Sequence, residues 1–270
     1  MEQESDSYAS STCSSSFSQI SVLENPNRRL LNRIQKIPPL KRYVFPKKLS
    51  ENNADERIRH TEIIQQNPNA LVIFLHNLNE VGSQWKSTIE SILPINTKAV
   101  FPTAKLIPVT LFSGIMCTSW VDVLPVPYED VVGYENILDS LSNIIKNEID
   151  ENDITSNRVI IGGYAQGGSV ALHTALRIPL RLGGVFCFNS WLPLSNQYPA
   201  ALSQFCENIP ILQCHGLHNK LITIETATHY SIFLSTMTNR FRFKAIPNMG
   251  VEFNENALPV LYDFLTDVLK

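Results

Sequence analysis

Between Arg158 and Gly168 an apolar run, Val159-Ile160-Ile161, feeds directly into Gly162-Gly163-Tyr164-Ala165-Gln166-Gly167-Gly168, and helical spacing then runs from Gln166 to Arg177. A strand, a sharp turn and a helix in so few residues leave the backbone little freedom. The chain has to reverse at Ala165 while its flanks pack against neighbouring backbone, so a Cβ at Gly163 or Gly167 is expected to collide there. The frame is G-x-A-x-G, which is the G-x-S-x-G nucleophile elbow with a methyl group where a hydroxyl would stand. Taken alone, the glycines read equally well as a plain joint between a strand and a helix.

The rest of the chain repeats the strand-then-helix pattern. Leu71-Val72-Ile73-Phe74-Leu75 is a continuous apolar run, too short for a helix and suited to a strand buried on both faces. Further strands are predicted at Lys98 to Phe101, Arg158 to Ile161, Val185 to Phe188, Ile211 to Cys214 and Phe241 to Ile246. Helices are predicted over Tyr134 to Asp150, Gln166 to Arg177, Ile224 to Phe233 and Glu255 to Leu269. Such alternation implies βαβ units, hence an α/β fold with a mostly parallel sheet and helices on both faces.

At 270 residues the chain is long enough for one sizeable core, and a single domain is expected over 69–270. Residues 1–50 read differently. A serine-rich opening with few large apolar side chains cannot offset the entropy of ordering and is expected to be disordered. A basic, proline-broken arm follows, with Arg28, Arg29, Arg33, Lys36, Lys41, Arg42, Lys47 and Lys48 interrupted by Pro38, Pro39 and Pro46. It reads either as a solvated linker or as an arm that docks on an acidic partner or membrane surface. Residues 51–68 read as a linker or short lead-in element.

A net charge of −3 supplies no global attraction to nucleic acid, and no basic-aromatic surface or phosphate loop is evident. The five cysteines, Cys13, Cys117, Cys187, Cys206 and Cys214, are scattered without metal spacing and read as reduced thiols. No metal or other cofactor is expected. The start of the chain does not resemble a signal peptide, and no stretch reaches the roughly 18 apolar residues that cross a bilayer. A soluble, cytoplasmic protein is the expectation.

Several ordered motifs decide how the elbow is read. Phe74-Leu75-His76 with Leu78 and Gly82, Phe101-Pro102-Thr103-Ala104, Ser119-Trp120-Val121-Asp122, the run Ser156 to Gly168, Trp191-Leu192-Pro193-Leu194 and Leu212-Gln213-Cys214-His215-Gly216 stand in that order. Together they resemble the acyl-protein thioesterase, carboxylesterase and lysophospholipase-like family of small α/β hydrolases, from about Leu71 to Leu269. The resemblance implies the α/β-hydrolase fold and, in an intact member, a serine nucleophile, a histidine base and an aspartate that orients it.

In this chain all three groups are replaced. The family's serine falls on Ala165, its acid on Asn219 within His215-Gly216-Leu217-His218-Asn219, and its histidine at or within a residue of Val251. No histidine follows His229. A methyl cannot attack a carbonyl, and a carboxamide cannot supply the charge that stabilises an imidazolium. Ser169 and Ser190 read as packing or capping residues, His76 and His215 as structural residues flanking the site, and His218 as a surface or loop histidine.

The resemblance also implies an oxyanion hole formed by the backbone amides of Leu78 and Gln166. Its loop glycines are replaced by Asn77 and Asn79, which leaves its conformation open, since Asn tolerates left-handed backbone better than most residues. The apolar segment Ile107 to Trp120 resembles the family's cover over an acyl groove, with Trp120 a candidate groove residue; the same residues would serve equally to close a core. Two functions follow from this reading. One is a catalytically inactive homologue that keeps the scaffold for a fatty-acyl ligand, a lipidated peptide or a protein partner of unknown identity. The other is a weakly active carboxylic ester or palmitoyl-protein thioester hydrolase.

Overall fold

A computed structural model describes residues 58–125 and 128–270. The serine-rich opening and the basic arm lie outside the described residues. The main sheet has seven strands: β1 (His60–Ile63), β2 (Ala70–Leu75), β3 (Thr97–Pro102), β6 (Val159–Tyr164), β7 (Gly184–Phe188), β8 (Ile211–Gly216) and β9 (Phe241–Ile246). Their spatial order is β1-β3-β2-β6-β7-β8-β9. All neighbours are parallel except β1, which pairs antiparallel to β3. Between β3 and β6 the chain also makes a separate antiparallel hairpin, β4 (Leu106–Val109) with β5 (Ile115–Thr118).

The apolar runs are continuous because both sheet faces are covered. Leu71, Ile73 and Leu75 of β2, Val159 and Ile161 of β6, and Val185 and Cys187 of β7 enter one core. Helices α2 (Val131–Asn152), α3 (Gln166–Arg177) and α4 (Ile224–Ser235) close that core, with Ile137, Leu141 and Ile145 of α2 buried at helical spacing. The alternate residues Val72, Phe74, Ile160, Phe186 and Phe188 enter the opposite core. Helices α1 (Lys86–Glu90) and α5 (Leu258–Val268) cover it through Ile89, Leu261, Phe264 and Leu265.

Two elements escaped the sequence reading. Strand β1 lies within the segment read as linker or lead-in, and the β4–β5 hairpin lies within the segment read as a groove cover. The hairpin turns Leu106, Ile115 and Met116 outward, so part of that segment does not close a core. The C-terminal helix is also shorter than expected, because Glu255–Ala257 form a 3-10 turn before α5.

Strand β1 is anchored electrostatically. The Lys98 ammonium lies 2.8 Å from both Glu62 Oε2 and Glu148 Oε2, tying β1, β3 and α2 together. Burial pulls the Lys98 amine down, but the two carboxylates outweigh it and hold its pKa above the ordinary value.

Candidate functional site

The order of the sheet reverses at β2, since β3 lies on one side of it and β6 on the other. In open α/β sheets this is where the carboxyl ends of strands leave a crevice. The loop after β2 and the turn after β6 both open there.

The turn after β6 is a strained elbow. Ala165 has φ 49° and ψ −112°, a left-handed backbone value uncommon for a residue with a Cβ. It is held from both sides: its amide donates to the Phe188 carbonyl at 2.9 Å, and its own carbonyl lies 2.9 Å from the Ser190 hydroxyl. The flanking glycines are required by close approach. A Cβ at Gly163 would lie 2.4 Å from the Leu75 carbonyl oxygen, and one at Gly167 2.1 Å from the same atom.

The side chains around the elbow leave no nucleophile and base in partnership. Ser169 and Ser190 are fully buried, and both hydroxyls are turned to backbone: Ser169 to the Gln166 carbonyl at 2.7 Å, Ser190 to those of Ala165 and Phe188. His76 is buried, with Nε2 accepting the Ala104 amide at 3.0 Å and Nδ1 donating to the Asn77 carbonyl at 2.6 Å. Burial lowers its pKa, and the bonding pattern is that of a neutral ring. Burial lowers His215 likewise, and its Nε2 lies 2.8 Å from the Ile222 carbonyl. His218 is exposed.

Asn219 is buried, but its carboxamide serves its own loop. Oδ1 accepts the amides of Leu221 at 2.9 Å and Ile222 at 3.0 Å, a local turn that stitches β8 to the start of α4. Val251 presents backbone to the site. Its carbonyl accepts from the Tyr164 hydroxyl and from Asn189 Nδ2 at 3.2 Å, while its side chain is 39% exposed. Burial pushes the Tyr164 phenol up to about 12, so it remains a neutral donor at ordinary pH.

Asn189 is the organising residue that sequence reasoning missed. Buried at the end of β7 with φ 51°, it accepts the Gly216 amide at 2.9 Å and donates to the carbonyls of Gly250 and Val251. It thereby joins the loops after β7, β8 and β9. Phe253 completes the joint, its ring 5.1 Å from Trp85, 5.9 Å from Tyr164 and 5.3 Å from Phe188. A polar residue directly after the apolar run Phe186-Cys187-Phe188 was the available signal for Asn189. Nothing local marks Phe253.

The expected oxyanion amides have different surroundings from those of an open hole. The Gln166 amide faces Asn77 Oδ1 at 3.4 Å, and Leu78 lies in the turn formed by Asn77 to Glu80. The Gln166 side chain bonds the Trp120 amide and the Val121 carbonyl, at 3.1 and 3.0 Å. Trp120, expected along a groove, is buried; its indole donates to the His76 carbonyl at 2.8 Å and its ring lies 4.8 Å from the His76 ring. It fixes the loop after β2.

Metal-ligating chemistry occurs away from the elbow. Among the described residues, His60, Glu62 and Glu148 bring ligand atoms within 4.8 Å of one another. The Lys98 ammonium already sits against both carboxylates and supplies their counter-charge.

Known proteins share this arrangement. Acyl-protein thioesterase 1 of Debaryomyces hansenii is 28% identical over 213 residues, spanning 74% of this chain and 91% of that protein. Acyl-protein thioesterase 1 homolog 2 of Dictyostelium discoideum is 29% identical over 209 residues, spanning 74% and 93%. The crystal structure of Arabidopsis thaliana SOBER1 matches with a TM-score of 0.69 at 26% identity, over 74% of this chain and 99% of that one. Zea mays acyl-protein thioesterase 2 shares the fold with a TM-score of 0.71 at 23% identity, over 79% of this chain and 100% of that one. A family match to Phospholipase/Carboxylesterase extends over residues 58–269, taking in β1, the elbow and the C-terminal helix alike. With its parallel sheet, its strained elbow at Ala165 and a match along nearly the whole described fold, the chain belongs to the phospholipase/carboxylesterase family of α/β hydrolases.

Proposed function

We propose that this chain is a non-hydrolytic member of its family, a scaffold that binds a fatty-acyl chain or lipidated peptide without cleaving it. One observation carries the reading: where acyl transfer needs a hydroxyl, a carboxylate and an imidazole, the groups at hand are the Ala165 methyl, the Asn219 carboxamide engaged by its own loop, and the Val251 backbone carbonyl. Removing triad members from serine proteases leaves about 10³ to 10⁴-fold catalysis over water, from binding and the oxyanion hole. Here the Gln166 amide of that hole also faces a protein oxygen. The thioesterase names of the relatives favour an acyl chain as the ligand class. We assign the chain to the cytoplasm, which four buried, unpaired cysteines favour.

The test combines a serine-directed fluorophosphonate probe with native mass spectrometry of the protein purified from its source. No labelling and a co-purifying acyl species are expected. Strong labelling at the elbow would instead favour the weakly active ester or thioester hydrolase, and a lipid-free protein that ignores added acyl ligands would discard the binding role.

A further inference from the structure

The turn after β2 holds Asn77 in place with unusual thoroughness. Its carbonyl accepts the His76 ring proton at 2.6 Å and the Glu80 amide at 3.2 Å. Its amide donates to Glu80 Oε2 at 3.0 Å, and the Trp85 indole binds that same oxygen at 2.9 Å. Asn79, in left-handed backbone at φ 62°, donates its amide to the Thr118 carbonyl at 2.8 Å, and the Thr118 hydroxyl donates to the Glu80 carbonyl at 2.6 Å. The Asn77 backbone therefore cannot withdraw without breaking several bonds.

Its side chain is what this anchoring presents to the site. Asn77 Oδ1 lies 3.4 Å from the Gln166 amide, the first N–H of α3. The free amides and dipole at a helix start favour an electron-rich oxygen. In a hydrolase this amide stabilises the oxygen of the reacting carbonyl. Here a carboxamide oxygen of the chain itself stands there.

We propose that Asn77 is the specificity-determining residue of the acyl site: its Oδ1 fills the position that a ligand's carbonyl or carboxylate oxygen would take, so the site selects chains whose head group donates a hydrogen bond over chains whose head group only accepts one. This rests on the acyl-binding reading above. An alcohol can donate to Oδ1, whereas a carboxylate meets it oxygen to oxygen. Asn77→Ala removes the obstacle and leaves the turn's backbone bonds in place.

The experiment compares decanol and decanoate binding to the full chain and to the N77A and N77D variants, by calorimetry at pH 7.5, alongside the Gln166 amide resonance in NMR spectra. The wild-type protein should prefer decanol. N77A should gain about tenfold in decanoate affinity relative to decanol, the worth of one hydrogen bond to a charged group, and its Gln166 resonance should move on substitution and move again when decanoate is added. N77D, which keeps an oxygen in place and adds charge, should gain nothing. Binding of both amphiphiles with the same ratio in wild type and N77A, and an unmoved Gln166 resonance, overturns the role of Asn77 alone. Failure of both amphiphiles to bind any of the proteins overturns the acyl reading and the specificity claim with it.

Discussion

His173 should make this fold acid-sensitive in a calculable way. It lies on α3, wholly buried, with its ring 5.0 Å from that of Tyr134 and with no hydrogen-bond partner at either nitrogen. Burial first, and the Arg177 guanidinium second, push its pKa from 6.5 down to about 3; a partial attraction to the Tyr134 backbone opposes them without reaching hydrogen-bonding geometry. Between those values the unfolded chain binds a proton that the native ring refuses. The native state is therefore fully stable with respect to this group above pH 6.5 and loses stability as the pH falls toward 3. The slope approaches about 1.4 kcal/mol per pH unit, which accumulates to on the order of 4 kcal/mol. Against a typical total of about 5–15 kcal/mol, that is a substantial share.

The perturbation is His173→Leu, and the assay is urea unfolding at pH 7.5, 6.5, 5.5 and 4.5. At pH 7.5 the variant should match or exceed the wild type, since two unpaired buried nitrogens are removed. By pH 4.5 it should be the more stable protein by a further 2 to 3 kcal/mol, approximately two units of the slope above. Some acid sensitivity should remain in both, because burial lowers His76 and His215 in the same direction. Parallel stability curves for the two proteins across this range would refute the reasoning.

Three further outcomes follow from the geometry. Ala165→Ser alone should give neither ester turnover nor fluorophosphonate labelling, since no imidazole partners that position, whereas Ala165→Ser, Asn219→Asp and Val251→His together should restore measurable esterase activity in the same assay. Asn189→Ala should lower stability by about 2–4 kcal/mol in urea unfolding, because it orphans the buried Gly216 amide and leaves an alanine at φ 51°. Lys98→Met should cost about 3–5 kcal/mol by the same measurement, since the buried Glu148 and its neighbour Glu62 lose the cation between them.

The sheet was legible where burial is two-sided. Strands β2, β6 and β8 are fully buried, so their sequences carry uninterrupted apolar runs. Strand β1 was not, because His60-Thr61-Glu62-Ile63 sits at an edge with one neighbour and spends its polar residues on solvent and an ion pair. The β4–β5 hairpin likewise contains Pro108 and turns apolar side chains outward, against both rules used to recognise strands. At the site, the elbow was legible because its glycines obey a local steric rule. The contacts of Tyr164 and Asn189 with Val251 join residues 87 and 62 positions apart, and no local pattern records them. The opposition of Asn77 and Gln166 across 89 positions was hidden for the same reason.

The backbone at Ala165 bears on how strain should be interpreted. Outlying dihedrals cluster at reactive centres, and the inference normally runs from the outlier to a chemical role. In this chain the outlier persists beneath a methyl group, held by the Phe188 carbonyl, the Ser190 hydroxyl and the contact of Gly163 and Gly167 with Leu75. The cause is architectural: a central strand has to enter a buried helix within one residue. Regaining a nucleophile at this position would consequently require a change of side chain and no rebuilding of the main chain, so the barrier between binder and enzyme lies in three functional groups and not in the shape that would carry them.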